Sequence, residues 1–275
     1  MNKKSGSELR IGLSKTGVTV VHTRGWLQTS SEVIIDFPFS AEEVVVPETV
    51  AAHLIALLKE TGSTGLPARI VLSDDWARRW MVTPPQNAAR LADCQAAAQA
   101  RFQVLFGDAL SDWVLSADWD AKRPFLVCAI PKTLMNAFEQ VAAECKLILL
   151  EIAPQSVLAW NCWRAGIKPG SWFGVLHQKM LTYIVTGEQG IEFTREVLLS
   201  DEVIREQKTL PEVLSREALR LNLPMPTEIR LCGEVPVHWV MQSLGGFIYA
   251  RLDQNRIEPI APTSGKVLAM TGMRP

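Results

Sequence analysis

The stretch IVLSDDWARRWMVTPP, Ile70 to Pro85, holds two short apolar runs around a polar turn and ends in a proline pair. Arg69 to Leu72 and Arg78 to Val82 read as strands, since large and β-branched residues crowd them and Ser73-Asp74-Asp75 separates them. Thr83-Pro84-Pro85-Gln86 has the form of a capping box, with threonine at the cap and glutamine three residues on. Leu91, Cys94, Ala98, Phe102 and Leu105 then recur at spacings of three and four, which is one face of a long helix.

Downstream, Trp113 to Trp119 and Phe125 to Ile130 are predicted strands, and Leu134, Phe138, Val141 and Cys145 mark a second amphipathic helix. The apolar run Leu147 to Ile152 predicts a buried strand, and a helix from Pro154 is expected to stop at Gly166. Upstream, Leu9 to Leu13 and Val18 to Val21 flank the hairpin turn Ser14-Lys15-Thr16-Gly17. Val33 to Phe37 adds a third strand, and Val50, Leu54, Leu57 and Leu58 form a helix ended by Gly62-Ser63-Thr64-Gly65. Past Gly170 the strands resume: Trp172 to Leu176, Leu181 to Val185 and Ile191 to Glu196, with a turn at Gly187 to Gly190. Helices from Ser200 and Pro211 and a strand from Thr227 to Leu231 follow. This order predicts an α/β protein of two halves joined near Ala165 to Gly170.

With 275 residues, 48% of them apolar and 21% charged, the chain can bury a real core. Lys and Arg number 28 against 29 Asp and Glu, so the basic excess of a nucleic-acid binder is absent. Arg78-Arg79 is the one basic cluster singled out, and it reads as a solvated strand edge. The charged opening MNKKSGSELR does not have the form of a signal peptide, and Val235 to Ala250, the nearest approach to a spanning segment, is interrupted by polar residues and glycines. A soluble, cytoplasmic chain is expected. The five cysteines form no CxxC pair and read as buried thiols, and the four histidines lack ligand spacing.

No phosphate loop, dinucleotide fingerprint, HExxH or GxSxG occurs. Asp74-Asp75 reads as a turn and Asp118 with Asp120 as a solvated strand face, rather than as metal or acid/base pairs. The tryptophan pairs Trp76/Trp80 and Trp160/Trp163 read as core or interface packing.

From Arg69 to Arg164 the chain resembles the PilM family of type IV pilus proteins and the cytoplasmic part of the GspL proteins of type II secretion. The resemblance lies in IVLSDDWARRWMVTPP, a long helix, SDWVLSADWD, FLVCAIPKTLMNAFEQ, and the turn Glu151 to Leu158. It continues outward. RIGLSKTGVTVV is similar to the first phosphate hairpin of an actin-like ATPase, WFGVLHQKMLTYIVTGEQGIEFTREV to the second, and TEIRLCGE to the strand before the adenosine-side glycines.

The resemblance implies a degenerate actin-like (ribonuclease H-like) α/β fold. Its first half would span 1–168, with a small α/β subdomain inserted at about 69–152, and its second, shortened half 169–275. Ser14 stands where the first hairpin carries an aspartate, Leu176-His177-Gln178 where the second has Asp-x-Gly, and Gly233 is followed by Glu234. Those carboxylates manage Mg²⁺ and water in such ATPases, so the resemblance implies a pseudo-ATPase with no cofactor. Vestigial nucleotide contacts would fall on Ser14, Thr16, Gly17 and Gly233. It further implies a scaffold peripheral to the inner membrane that holds the short cytoplasmic tail of a bitopic membrane protein, with the assembly ATPase as a further partner. Trp76, Arg78 and Trp80 are the candidate partner-binding residues. The alternatives are a divergent actin-fold ATPase and a nucleotide-binding regulatory module.

Overall fold

The computed structural model describes residues 6–25, 30–40, 42, 45–206, 210–226, 228–239, 248–252 and 263–273. Thr227 and residues 240–247 of the apolar Val235 to Ala250 stretch lie outside the described residues.

Strands β1 (Ser7–Ser14) and β2 (Gly17–Arg24) form the expected hairpin, and β3 (Ser30–Pro38) adds to β2. Helix α1 (Pro47–Glu60) crosses over to β4 (Pro67–Leu72), which runs parallel to β1. Leu9, Ile11 and Leu13 alternate onto one sheet face and meet Val50, Leu54 and Leu58 of α1, all essentially inaccessible to water. The other face takes the opposite set. There Gly12 lets helix α7 (Ser264–Ala269) come so close that a Cβ would stand 2.8 Å from the Ala269 nitrogen. Arg10, also buried, donates from Nε to the Ala269 carbonyl at 2.8 Å and from Nη2 to that of Thr271, closing the C-terminal end of α7.

The chain then leaves this sheet for a second layer. β5 (Arg78–Val82), β6 (Trp113–Ala117) and β7 (Phe125–Pro131) form a three-stranded antiparallel sheet, order β5-β7-β6, capped by helix α2 (Leu91–Phe106). Trp80, Val82, Phe125 and Val127 face Cys94, Ala98 and Phe102 in a separate small core. Helix α3 (Lys132–Cys145) packs Leu134, Phe138, Val141 and Cys145 into the core beneath α1, and β8 (Ile148–Pro154) returns to pair parallel with β4. The first sheet therefore has the order β3-β2-β1-β4-β8.

Helix α4 (Gln155–Trp163) carries the chain to the second sheet, in which β9 (Trp172–His177), β10 (Met180–Gly187) and β11 (Gly190–Leu198) are antiparallel. Helices α5 (Asp201–Arg205) and α6 (Leu210–Leu221) precede β12 (Glu228–Gly233) and β13 (Ile248–Arg251), which extend the sheet in parallel. Its order, β11-β10-β9-β12-β13, repeats the scheme of the first sheet.

Four expectations are corrected. Helix α2 starts at Leu91, not at the Thr83 box: the Asp93 carboxylate accepts from the Ala89 and Arg90 amides, and Asn87 has a positive φ of 69° that breaks any earlier turn. The apolar run at 147–152 is not a buried strand, because β8 is the sheet's edge, where Ile148 is 60% and Leu150 47% exposed. Arg69 to Leu72 and residues 148–152 belong to the five-stranded sheet, so the separate small sheet spans 78–131 rather than 69–152. Asp118 and Asp120 follow β6 in a loop, where Asp120 accepts from the Lys122 and Arg123 amides. All five cysteines are free and buried, and burial pushes the Cys128 thiol up to about 12. No helix among the described residues is long and apolar enough to cross a membrane.

Candidate functional site: the cleft between the two hairpins

The turns of the β1–β2 and β9–β10 hairpins come from opposite halves and point at each other. Between them lies a cavity of about 560 Å³, lined among others by Ser14, Lys15, Asp75, His177 and Lys179. Ser14 does not reach across. Its Oγ accepts from the Thr16 amide at 3.2 Å and lies 3.0 Å from Thr16 Oγ1, a hydroxyl-stabilised turn. Gln178, at φ 53° in the opposing turn, spans the gap and donates from Nε2 to Thr16 Oγ1 at 2.6 Å. A direct side-chain bond thus joins the two hairpin turns.

Lys15 folds back, its Nζ 3.0 Å from the centroid of the Trp76 ring. Burial pulls the Lys15 ammonium below its ordinary value, against the attraction of Asp75. Gly17 serves strand pairing, since a Cβ there would meet the Phe37 carbonyl oxygen at 2.7 Å. Gly233 has a φ of +90°, and a Cβ would strike the Leu176 carbonyl oxygen at 2.3 Å. The turn it makes directs Glu234 inward, to 2.6 Å from His177 Nδ1, with the Ser264 hydroxyl donating to it at 2.6 Å. Burial works to raise this carboxyl, but His177, Ser264 and the Gln178 amide outweigh it and hold it below the usual carboxylate range.

The four nucleotide candidates are thus split: Ser14 and Thr16 line the cavity, whereas Gly17 and Gly233 shape backbone beside it. Lys15, Asp75, Gln178 and Lys179 also line it; the sequence marks Gln178 as a departure from the ATPase pattern and Asp75 as a turn residue, and gives no signal for Lys179. Gln178 bridges the space between the turns, and among the described residues no group of three acidic, histidine or cysteine side chains is placed to hold a metal ion.

The partner candidates lie elsewhere. Trp76 is 6% exposed in the main core and Trp80 3% exposed in the small one, against Phe102 and Phe106. Buried rings offer no surface to a partner. Arg78 stacks its guanidinium 4.6 Å from the Phe106 and Trp113 centroids and pairs with Asp108 at 2.5 Å. Arg79 is no solvated edge either: its side chain is 3% exposed and pairs with Asp74 at 2.8 Å and with Glu196 of β11. Asp74 also accepts from the amide and hydroxyl of Ser156 at 3.1 and 2.8 Å. One polar chain therefore ties α4, the small sheet and the second sheet together. Burial raises the Glu196 carboxyl, Asp74 and Asp75 add to this, and Arg79 opposes it.

No family model and no curated protein matches this sequence. Solved structures do match. One is the PilM-PilN type IV pilus biogenesis complex, at a TM-score of 0.65 and 13% identity, covering 98% of this chain and 99% of that one. A second is a Bacteroides thetaiotaomicron protein with an actin-like ATPase fold and unknown function, at 0.59 and 11%, covering 97% and 96%. A third is the cytoplasmic domain of EpsL, an inner-membrane component of the type II secretion system of Vibrio cholerae, at 0.59 and 10%, covering 97% and 94%. At such identities it is the architecture that is shared: this chain has the actin-like ATPase fold over nearly its whole length.

Proposed function

We propose that this protein is a non-catalytic scaffold of a type IV pilus or type II secretion assembly platform. It sits on the cytoplasmic side of the inner membrane and holds the short cytoplasmic tail of a single-pass membrane protein. The observation that carries the non-catalytic part is the Gln178–Thr16 bond between the hairpin turns, made where an actin-like ATPase threads a phosphate tail. Ser14 and Leu176 stand where carboxylates would handle metal and water, and Glu234 places a carboxylate where the adenosine-side glycine would be. The platform part is supported by full-length similarity to a protein solved in complex with PilN and to the cytoplasmic domain of EpsL.

The test has two arms. Purified protein is expected to show no ATP turnover above background and no thermal shift with Mg²⁺-ATP; hydrolysis that disappears in Thr16→Ala would establish the enzyme reading instead. Co-expressed with the single-pass membrane proteins encoded beside it, the chain is expected to co-purify with one of them and to lose it when that protein's cytoplasmic tail is deleted. Lysines 15 and 179 beside Asp75 in the cavity favour one second reading, a nucleotide sensor without turnover. A thermal shift with Mg²⁺-ATP in the absence of hydrolysis would select it.

A further inference from the structure

β5 and β11 are terminal strands of two different sheets, and they face each other across the gap between the small subdomain and the second half. Among the described residues no backbone hydrogen bond joins them. Their contact is clamped at one end by the Arg79–Glu196 ion pair. Beyond that clamp the walls part into a cleft of about 1410 Å³, bounded by β5, by α2 and by Ile191 to Arg195 of β11. Three apolar side chains are left in water at this place: Val104 is 77%, Leu105 44% and Phe193 36% exposed. An apolar rim beside an unpaired strand edge is a combination that soluble chains otherwise blunt.

We propose that this cleft is a strand-accepting site, and that its occupant is an extended segment of a partner protein laid along the free edge of β11 as a sixth strand of the second sheet. The backbone N–H and C=O groups of β11 that point away from β10 would be satisfied by the segment's main chain. Alternate side chains would insert between Phe193 and the α2 residues Val104 and Leu105. A helix could use the apolar walls but would leave the strand edge unpaired. The charges narrow the occupant further. Glu188 and Glu192 stand on the hairpin side without an ion-pair partner among the described residues, and Arg101 stands on α2 opposite them. The segment therefore carries a cation toward the β10–β11 hairpin and an anion toward α2, with apolar residues between. This rests on the reading that the chain grips a partner by a peptide segment, and it adds the place and the chemistry.

The full chain is panned against a phage-displayed library of random twelve-residue peptides. Enriched peptides are expected to alternate apolar and polar residues, to include a lysine or arginine, and to slow hydrogen exchange at the amides of residues 191–195. Phe193→Asp and Val104→Asp, both at exposed positions, are expected to weaken binding at least tenfold while leaving the melting temperature unchanged. N-methylation of alternate peptide amides is expected to weaken it as much. The site is refuted if nothing is enriched, if both variants bind as wild type, or if protection falls elsewhere. Self-association with the 191–195 footprint would make a second copy the occupant and refute it too. Co-purification of a membrane partner that survives Phe193→Asp removes this site and leaves the scaffold reading standing; co-purification absent from the wild type removes the scaffold reading.

Discussion

Trp80 looks in the sequence like half of an arginine–tryptophan hot spot, and its position in the fold shows why composition misleads there. Its ring is sealed against Phe102 and Phe106, so Trp80→Ala should leave a cavity in the small core and cost about 3–5 kcal/mol, read by urea denaturation. Glu234 allows a sharper test. Its carboxyl is held below the usual carboxylate range in the folded state, so it contributes stability above its unfolded pKa and loses that contribution as pH falls through the lower, folded one. Unfolding free energies measured from pH 6 to pH 3 should therefore fall less steeply in Glu234→Gln than in wild type. Glu196 has the opposite sign: its raised folded value makes ionisation a cost at neutral pH, relieved as pH drops. Glu196→Gln, which keeps a group able to bond Arg79, is accordingly expected to leave stability at pH 7 unchanged or higher.

Among the elements, α2 separates a motif from its use. Thr83 and Gln86 carry the letters of a capping box, but the chain makes a separate turn at Gln86-Asn87, closed by the Ala88 amide on the Pro85 carbonyl, before α2 begins, and Asp93 does the capping. Asp93→Ala should lower the melting temperature and speed hydrogen exchange in the first turn of α2. Thr83→Ala should stay within about 0.5 kcal/mol of wild type, as surface substitutions usually do. The helical and strand periods were otherwise readable: α1 and α3 bury the faces their spacing marked, and both hairpins turn where glycine and polar residues cluster. β8 was not readable, since an apolar run is the same whether its strand lies at the centre or the edge of a sheet. Only its pairing with β4 alone places it at the edge.

At the scale of the whole molecule, two sheets of like topology are held together by α4, by α7 and by side-chain bridges at the hairpins and at Arg79. Helix α7 ties the end of the chain to its beginning: Arg10 closes its carbonyl end, Ser264 bonds Glu234 of the second half, and Gly12 permits the contact. Gly12→Ala places a methyl against backbone that has no room to yield, and should cost about 1–3 kcal/mol. Hydrogen exchange should rise within 264–269 before it rises elsewhere, since only that docking is strained directly.

By itself the sequence determined most of the elements from β1 to β12 and their order, though not β13 or α7, because hydrophobic period, turn glycines and helix spacing act over a few residues. It also determined which side chains stand at the two hairpin turns. The tertiary structure decided what those side chains meet. Thr16 and Gln178 are 162 positions apart, and no local pattern says that one donates to the other. Arg79 reads as solvated until Asp74 and Glu196 arrive from a neighbouring turn and a distant strand. Trp80 reads as core or as interface alike until α2 folds over it. Burial and pairing are sums over neighbours brought together by chain crossings, so they exist only once the sheets are assembled.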